Sequence, residues 1–134
     1  MKLLYSIFIL LLLSGCFEHD ATINFYNKKK ERISCLRLVV FPPDDMISST
    51  LQNLYSFDPL CPFELQASRK SGITCNSSFN AEKKALRSLP SGYIRLDVYD
   101  KYKKPYYSYY RDMSEKATKE DVKEAFERLQ RDLL

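Results

Sequence analysis

Residues 91–113, SGYIRLDVYDKYKKPYYSYYRDM, contain the clearest strand signal of the chain. In the first half, Ile94, Leu96 and Val98 alternate with polar or aromatic residues, which predicts a strand with one apolar face. The turn KYKK and Pro105 follow, and a second alternating run begins after them. The stretch therefore predicts a β-hairpin.

Tyrosine is concentrated in this hairpin, since six of the ten tyrosines lie between positions 99 and 110. If the apolar residues of the first strand face a core, Tyr93 and Tyr99 face solvent. Positions 106 and 110 share one face of the second strand, and positions 107 and 109 share the other, so either register exposes two more tyrosines. Tyrosine and arginine are enriched at protein interfaces, although tyrosine also suits strands that pair with each other. The predicted partner-binding surface comprises Tyr93, Arg95, Tyr99, Tyr107, Tyr109 and Arg111.

The segment after the hairpin, TKEDVKEAFERLQRDLL (residues 118–134), predicts an amphipathic helix. Thr118 and Asp121 have the spacing of a capping box. The apolar residues Val122, Ala125, Phe126, Leu129 and Leu133 recur at helical spacing. We expect this helix to cover one face of the sheet.

Further elements are predicted upstream. INFYN (residues 23–27) and ISCLRLVVF (residues 33–41), joined by KKKER, are interpreted as a first hairpin, and residues 44–57 as a short helix. CPFELQ and GITC are weak strand candidates, and residues 80–89 a second short helix. The prediction is an α+β fold: one small domain with an antiparallel β-sheet covered by helices, including the C-terminal amphipathic helix.

The N-terminus carries the signature of a secretory signal. An apolar run of 11 residues, positions 3–13, follows Lys2. This run is shorter than the roughly 18–20 residues that a membrane-spanning helix requires. It has the length of the apolar region of a signal peptide.

Leu13-Ser14-Gly15-Cys16 resembles the lipobox of bacterial lipoprotein precursors. The resemblance implies cleavage by signal peptidase II before Cys16 and a covalent lipid on that residue, with no other cofactor. It also implies a signal peptide at 1–15, a lipidated tether at 16–22 and a periplasmic domain at 23–134. Phe17 rather than Asp after the cysteine implies sorting to the periplasmic face of the outer membrane.

The charge balance argues against a nucleic-acid partner. Removal of residues 1–15 takes away only one charged residue, Lys2, so the formal net charge falls from +4 to +3. Nucleic-acid binders carry a far more concentrated positive charge. KKKER is interpreted as a solvated turn, with contact to anionic lipid headgroups as the alternative.

With Cys16 lipidated, three cysteines remain in an oxidising compartment. A hairpin turning at Ser68 would place Cys61 opposite Cys75, which predicts a Cys61–Cys75 disulfide. Cys35 stays open as a replacement for either partner, because connectivity cannot be deduced from sequence.

The sequence shows no pattern that is typical of a catalytic or metal site. The single histidine, His19, lies beside the proposed anchor, and no C-x-x-C pair is present. We expect neither an enzyme nor a small-molecule substrate. By layout, the precursor is similar to small immunity lipoproteins of type VI secretion loci, which implies a protein partner. The alternatives are a structural or secretion-assembly lipoprotein of the envelope, and a cell-wall-binding protein or enzyme.

Overall fold

The computed structural model describes residues 21–72 and 92–134. Cys16, the predicted signal peptide, Cys75 and the predicted helix at 80–89 lie outside these residues. The described elements are β1 (Thr22–Phe25), β2 (Arg37–Val40), α1 (Asp45–Leu54), β3 (Glu64–Lys70), β4 (Gly92–Tyr99), β5 (Pro105–Met113) and α2 (Lys119–Leu133).

The five described strands form one open sheet in the order β1-β5-β4-β3-β2. The predicted hairpin of residues 91–113 is confirmed as β4 and β5, which pair antiparallel. β1 and β3 also pair antiparallel with their neighbours, but β2 lies parallel to β3. The domain is therefore α+β as predicted, with a mixed sheet in place of the expected antiparallel one.

The predicted first hairpin is wrong, because β1 and β2 lie at opposite edges of the sheet. The chain between them enters the core: Ile33 and Leu36 are buried. The Ile33 amide donates to the carbonyl of Leu133 at the end of α2, at 2.8 Å. Because Ile33 and Leu36 are buried in the core, the segment between β1 and β2 crosses the domain. The two strands therefore lie at opposite edges of the sheet.

The core lies on one face of the sheet, which we call the inner face. Directly opposed residues in adjacent strands share a face. Leu96 is opposed by Tyr109 on one side and Ala67 on the other, so the apolar row continues across three strands. Both described helices contribute buried residues to this cluster: Ile47 and Leu51 from α1, and Val122, Ala125, Phe126, Leu129 and Leu133 from α2.

Both helices begin at side-chain caps that the sequence predicts. The Asp44 carboxylate accepts from the amides of Met46 and Ile47 and so caps α1. Thr118 and Asp121 form the predicted capping box of α2. Among the residues that the structure describes, neither helix is long and apolar enough to cross a membrane.

The disulfide joins Cys35 to Cys61, with 5.9 Å between their Cα atoms, so the predicted Cys61–Cys75 pairing is wrong. Ser68, the expected turn position, lies inside β3. Residues 64–70 run as one strand of about 20 Å, which leads the chain away from Cys61. β2 instead pairs parallel with β3, with Arg37 opposite Glu64. This pairing brings together Cys35 and Cys61, which precede the two strands in the chain.

Candidate functional site

No described helix packs on the second face of the sheet, which we call the outer face. Along β4, Tyr93, Arg95, Asp97 and Tyr99 point to this side, because they alternate with the buried residues of the same strand. The structure therefore places the β4 half of the predicted surface, Tyr93, Arg95 and Tyr99, together on the outer face.

Neighbouring strands extend this surface. Tyr110 of β5 and Ser68 of β3 oppose Arg95 on its two sides. The rings of Tyr93 and Tyr110 lie with their centroids 5.5 Å apart, and the Tyr110 hydroxyl donates to Asp112 at 2.9 Å. Two aromatic rings and one guanidinium group thus form a contiguous patch across two strands.

An ion pair holds Arg95 on the sheet. Its Nε donates to the Asp97 carboxylate at 2.5 Å, while half of the Arg95 side chain remains exposed. Burial raises the pKa of Asp97 above its usual value even though Arg95 opposes the shift. The hydrogen bond that Arg95 donates to Asp97 and the negative charge of Asp97 raise the pKa of Arg95. The pair orients the guanidinium group before any partner binds.

A second buried carboxylate, Glu64, lies at the start of β3, opposite Tyr99. It accepts from Lys103 at 2.5 Å, from Gln66 at 2.8 Å and from Arg37. Burial by itself would raise the pKa of Glu64, but these three donors outweigh burial and lower it. Glu64 is therefore held ionised and links the outer face to the turn that joins β4 and β5.

The other half of the predicted surface is not exposed. Tyr107 and Tyr109 are buried on the inner face, with 0% and 3% of their surface accessible. Burial, and then the hydrogen bond to Asp132, raise the pKa of Tyr107. Arg111 also lies on the helix side, where it donates to Asp121 at 2.7 Å and to Glu124 at 3.1 Å. The expectation that these three side chains face solvent is wrong, because Tyr107, Tyr109 and Arg111 oppose the apolar residues Val98, Leu96 and Ile94.

Two tyrosines of the surface were missed from the sequence. Tyr110 lies in the patch itself, and Tyr26, 54% exposed, lies beside Tyr99 and Arg95. A signal for Tyr110 was present, because Ser108 and Asp112 occupy the alternate positions of the same strand. Their polarity marks the solvent side of β5.

The outer face can make ring contacts, hydrogen bonds and ion pairs. Its tyrosines Tyr93, Tyr99 and Tyr110 are partly exposed and Arg95 is exposed, so the face combines apolar area with polar tips. Within residues 21–72 and 92–134, no group of three or more His, Cys, Asp or Glu residues is placed to hold a metal ion.

Comparisons of the chain with protein-family models, with curated proteins and with solved structures find no match.

Proposed function

We propose that the chain is an outer-membrane-anchored periplasmic lipoprotein without catalytic activity, which binds a protein partner through the outer face. One observation carries the proposal: Tyr93, Arg95, Tyr99 and Tyr110 lie together on the face that no described helix covers. Tyrosine and arginine are the residue types most often responsible for binding energy at protein interfaces.

The geometry lowers the entropic cost of binding at this surface. The ring of Tyr93 lies against Tyr110, and Arg95 is held by Asp97. Side chains that are already oriented lose less conformational entropy when a partner binds, so more of the contact energy appears as affinity.

The layout of the precursor supports a more specific proposal, in which the partner is a secreted toxin and the chain is its immunity protein. A structural role in an envelope assembly is the second candidate. A neighbouring reading frame for a secreted toxin would favour the first role, and a neighbouring assembly cluster the second.

The anchor is tested by Cys16→Ser. Signal peptidase II requires the lipidated cysteine, so we expect the variant to keep its signal peptide and to lose the acyl chains. Two or more acyl chains give stable membrane binding, which a protein without them lacks. Metabolic labelling with a palmitate analogue, followed by gel mobility, measures both effects. A Cys16→Ser variant that is still processed and labelled would contradict the anchor.

Partner binding is tested by capture from detergent-solubilised envelopes with the full-length lipoprotein. We expect Tyr93→Ala and Arg95→Gln each to reduce the captured partner at least tenfold, which corresponds to about 1.4 kcal/mol. Lys123→Gln is the matched control, because it removes the same charge from an exposed position on α2. Equal capture by Arg95→Gln and the wild type, both folded by circular dichroism, would refute the outer face as the binding surface.

A further inference from the structure

One end of the sheet brings two lysine-rich loops together. Residues 28–32 follow β1, and residues 100–104 connect β4 to β5. Tyr106, at the start of β5, ties the first loop to this end: its hydroxyl donates to the carbonyl of Glu31 at 2.7 Å and accepts from Asn27 at 3.1 Å. We call residues 28–32 and 100–104 the basic tip.

The positive charge of the chain is concentrated in the basic tip. Residues 28–32 contribute a formal +3 and residues 100–104 a formal +2, so these ten residues exceed the +4 of the whole chain. The carboxylate of Asp100 is occupied within its own turn, where it accepts from the amides of Tyr102 and Lys104 at 2.8 and 3.0 Å. Lys103 is paired with the ionised carboxylate of Glu64. The electrostatic potential at this end of the domain is therefore set by the other exposed lysines, Lys28, Lys29, Lys30, Lys101 and Lys104.

A mainly apolar pocket opens at the basic tip, with a volume of about 360 Å³. This volume is at the low end of the range for small-ligand sites, about 300–1,000 Å³. Phe63 and Tyr106 pack edge to face in its wall, with ring centroids 5.1 Å apart. Tyr102 in the pocket lining is 69% accessible, and Leu60, two residues before Pro62 in the chain, is 89% accessible. The pocket is lined by Pro62, Phe63, Asp100, Lys101, Tyr102 and Tyr106.

The basic tip lies at the C-terminal end of β1, and the proposed anchor precedes β1 in the chain. Thr22, where β1 begins, is six residues after Cys16, and the strand runs from there towards Phe25 and the first lysine loop. The inference rests on the proposed function, because it takes the partner to be a periplasmic protein.

We propose that the basic tip binds an acidic polypeptide segment of the protein partner, with one aromatic or aliphatic side chain of that segment inserted into the pocket. Charge complementarity favours an acidic segment, because its carboxylates would face the lysines of the tip. Such pairing speeds the diffusional encounter of the two proteins and fixes the register of the bound segment. The buried side chain supplies the binding energy at the centre of the contact.

The test uses the full-length lipoprotein in non-ionic detergent micelles and fluorescence polarisation. The probe is a labelled 12-residue peptide of alternating Glu and Ser with one central Trp. Two control peptides replace Trp by Ser, or every Glu by Lys. Vesicles of phosphatidylglycerol and phosphatidylcholine provide the lipid arm. The variants are Tyr102→Ser, which changes an exposed residue, Lys101→Glu with Lys104→Glu, and the control Lys123→Glu on α2.

We expect the acidic Trp peptide to bind, and the loss of Trp, Tyr102→Ser or the double charge reversal each to weaken binding at least tenfold. Lys123→Glu should change the affinity less than twofold. Equal binding of the acidic and basic peptides, no effect of the tip variants, or tip-dependent binding of the vesicles alone would overturn the inference. If partner capture still required Arg95, only this inference would have failed. If Arg95→Gln captured the partner as well as the wild type, the proposed function would fail too.

Discussion

Replacement of Tyr107 by Ala is expected to lower the free energy of unfolding by about 3–5 kcal/mol, as deletion of a large buried aromatic ring does. The side chain is fully buried, and its ring packs edge to face on Phe25 with centroids 5.3 Å apart. Its hydroxyl donates to Asp132 of α2 at 2.8 Å, so the residue also ties the last helix to the sheet.

Tyr107→Phe separates these two contributions. It keeps the ring and removes a hydrogen bond to a charged acceptor, which costs about 1.5–3 kcal/mol. Tyr110→Phe is the matched control, because its hydroxyl bonds to exposed Asp112, and we expect a change within about 0.5 kcal/mol. Urea unfolding followed by circular dichroism measures all three variants. A cost below about 1 kcal/mol for Tyr107→Ala would place the residue outside the core.

Removal of the disulfide is the second large effect. Cys35 and Cys61 close a loop with a sequence separation of 26, which corresponds to about 3.5 kcal/mol in the chain-entropy model. We expect Cys35→Ser with Cys61→Ser to destabilise the domain by about 2–5 kcal/mol, because the unfolded chain regains that freedom. Urea unfolding of the oxidised wild type against the variant gives the difference.

Cys75→Ser is the control for the disulfide. It leaves the Cys35–Cys61 bond intact, and we expect its free energy of unfolding to change by no more than about 0.5 kcal/mol. The denatured, unreduced mature lipoprotein should expose one reactive thiol per chain. The opposite pattern, a large loss with Cys75→Ser and none with Cys35→Ser, would restore the Cys61–Cys75 pairing.

Local patterns in the sequence predicted the elements whose partners are close in the chain. The hairpin of β4 and β5 follows from alternation around one turn, and α2 follows from its capping box and apolar spacing. β1 and β2 also have strand patterns, but their partners lie far along the chain. The parallel pairing of β2 with β3, and with it the disulfide, depends on a crossover that no short pattern encodes.

Three of the six residues predicted for the binding surface, Tyr93, Arg95 and Tyr99, lie on the outer face. The other three do not, for a related reason. In β4 the alternation shows which residues face outward, because the alternate positions, Ile94, Leu96 and Val98, are aliphatic and buried. In β5 both faces carry tyrosines, so the register against β4 decides between them. That register buries Tyr107 and Tyr109 and turns Tyr110 outward. The same residue type thus stabilises the inner face and supplies the proposed binding groups on the outer face.

Site-specific photo-crosslinking in cells tests the proposed binding surface most directly. A photoreactive phenylalanine analogue replaces Tyr93 on the outer face in one strain and exposed Lys123 on α2 in another. We predict a crosslinked protein adduct from position 93 that is absent from position 123. An adduct from position 123 with none from position 93 would contradict binding through the outer face.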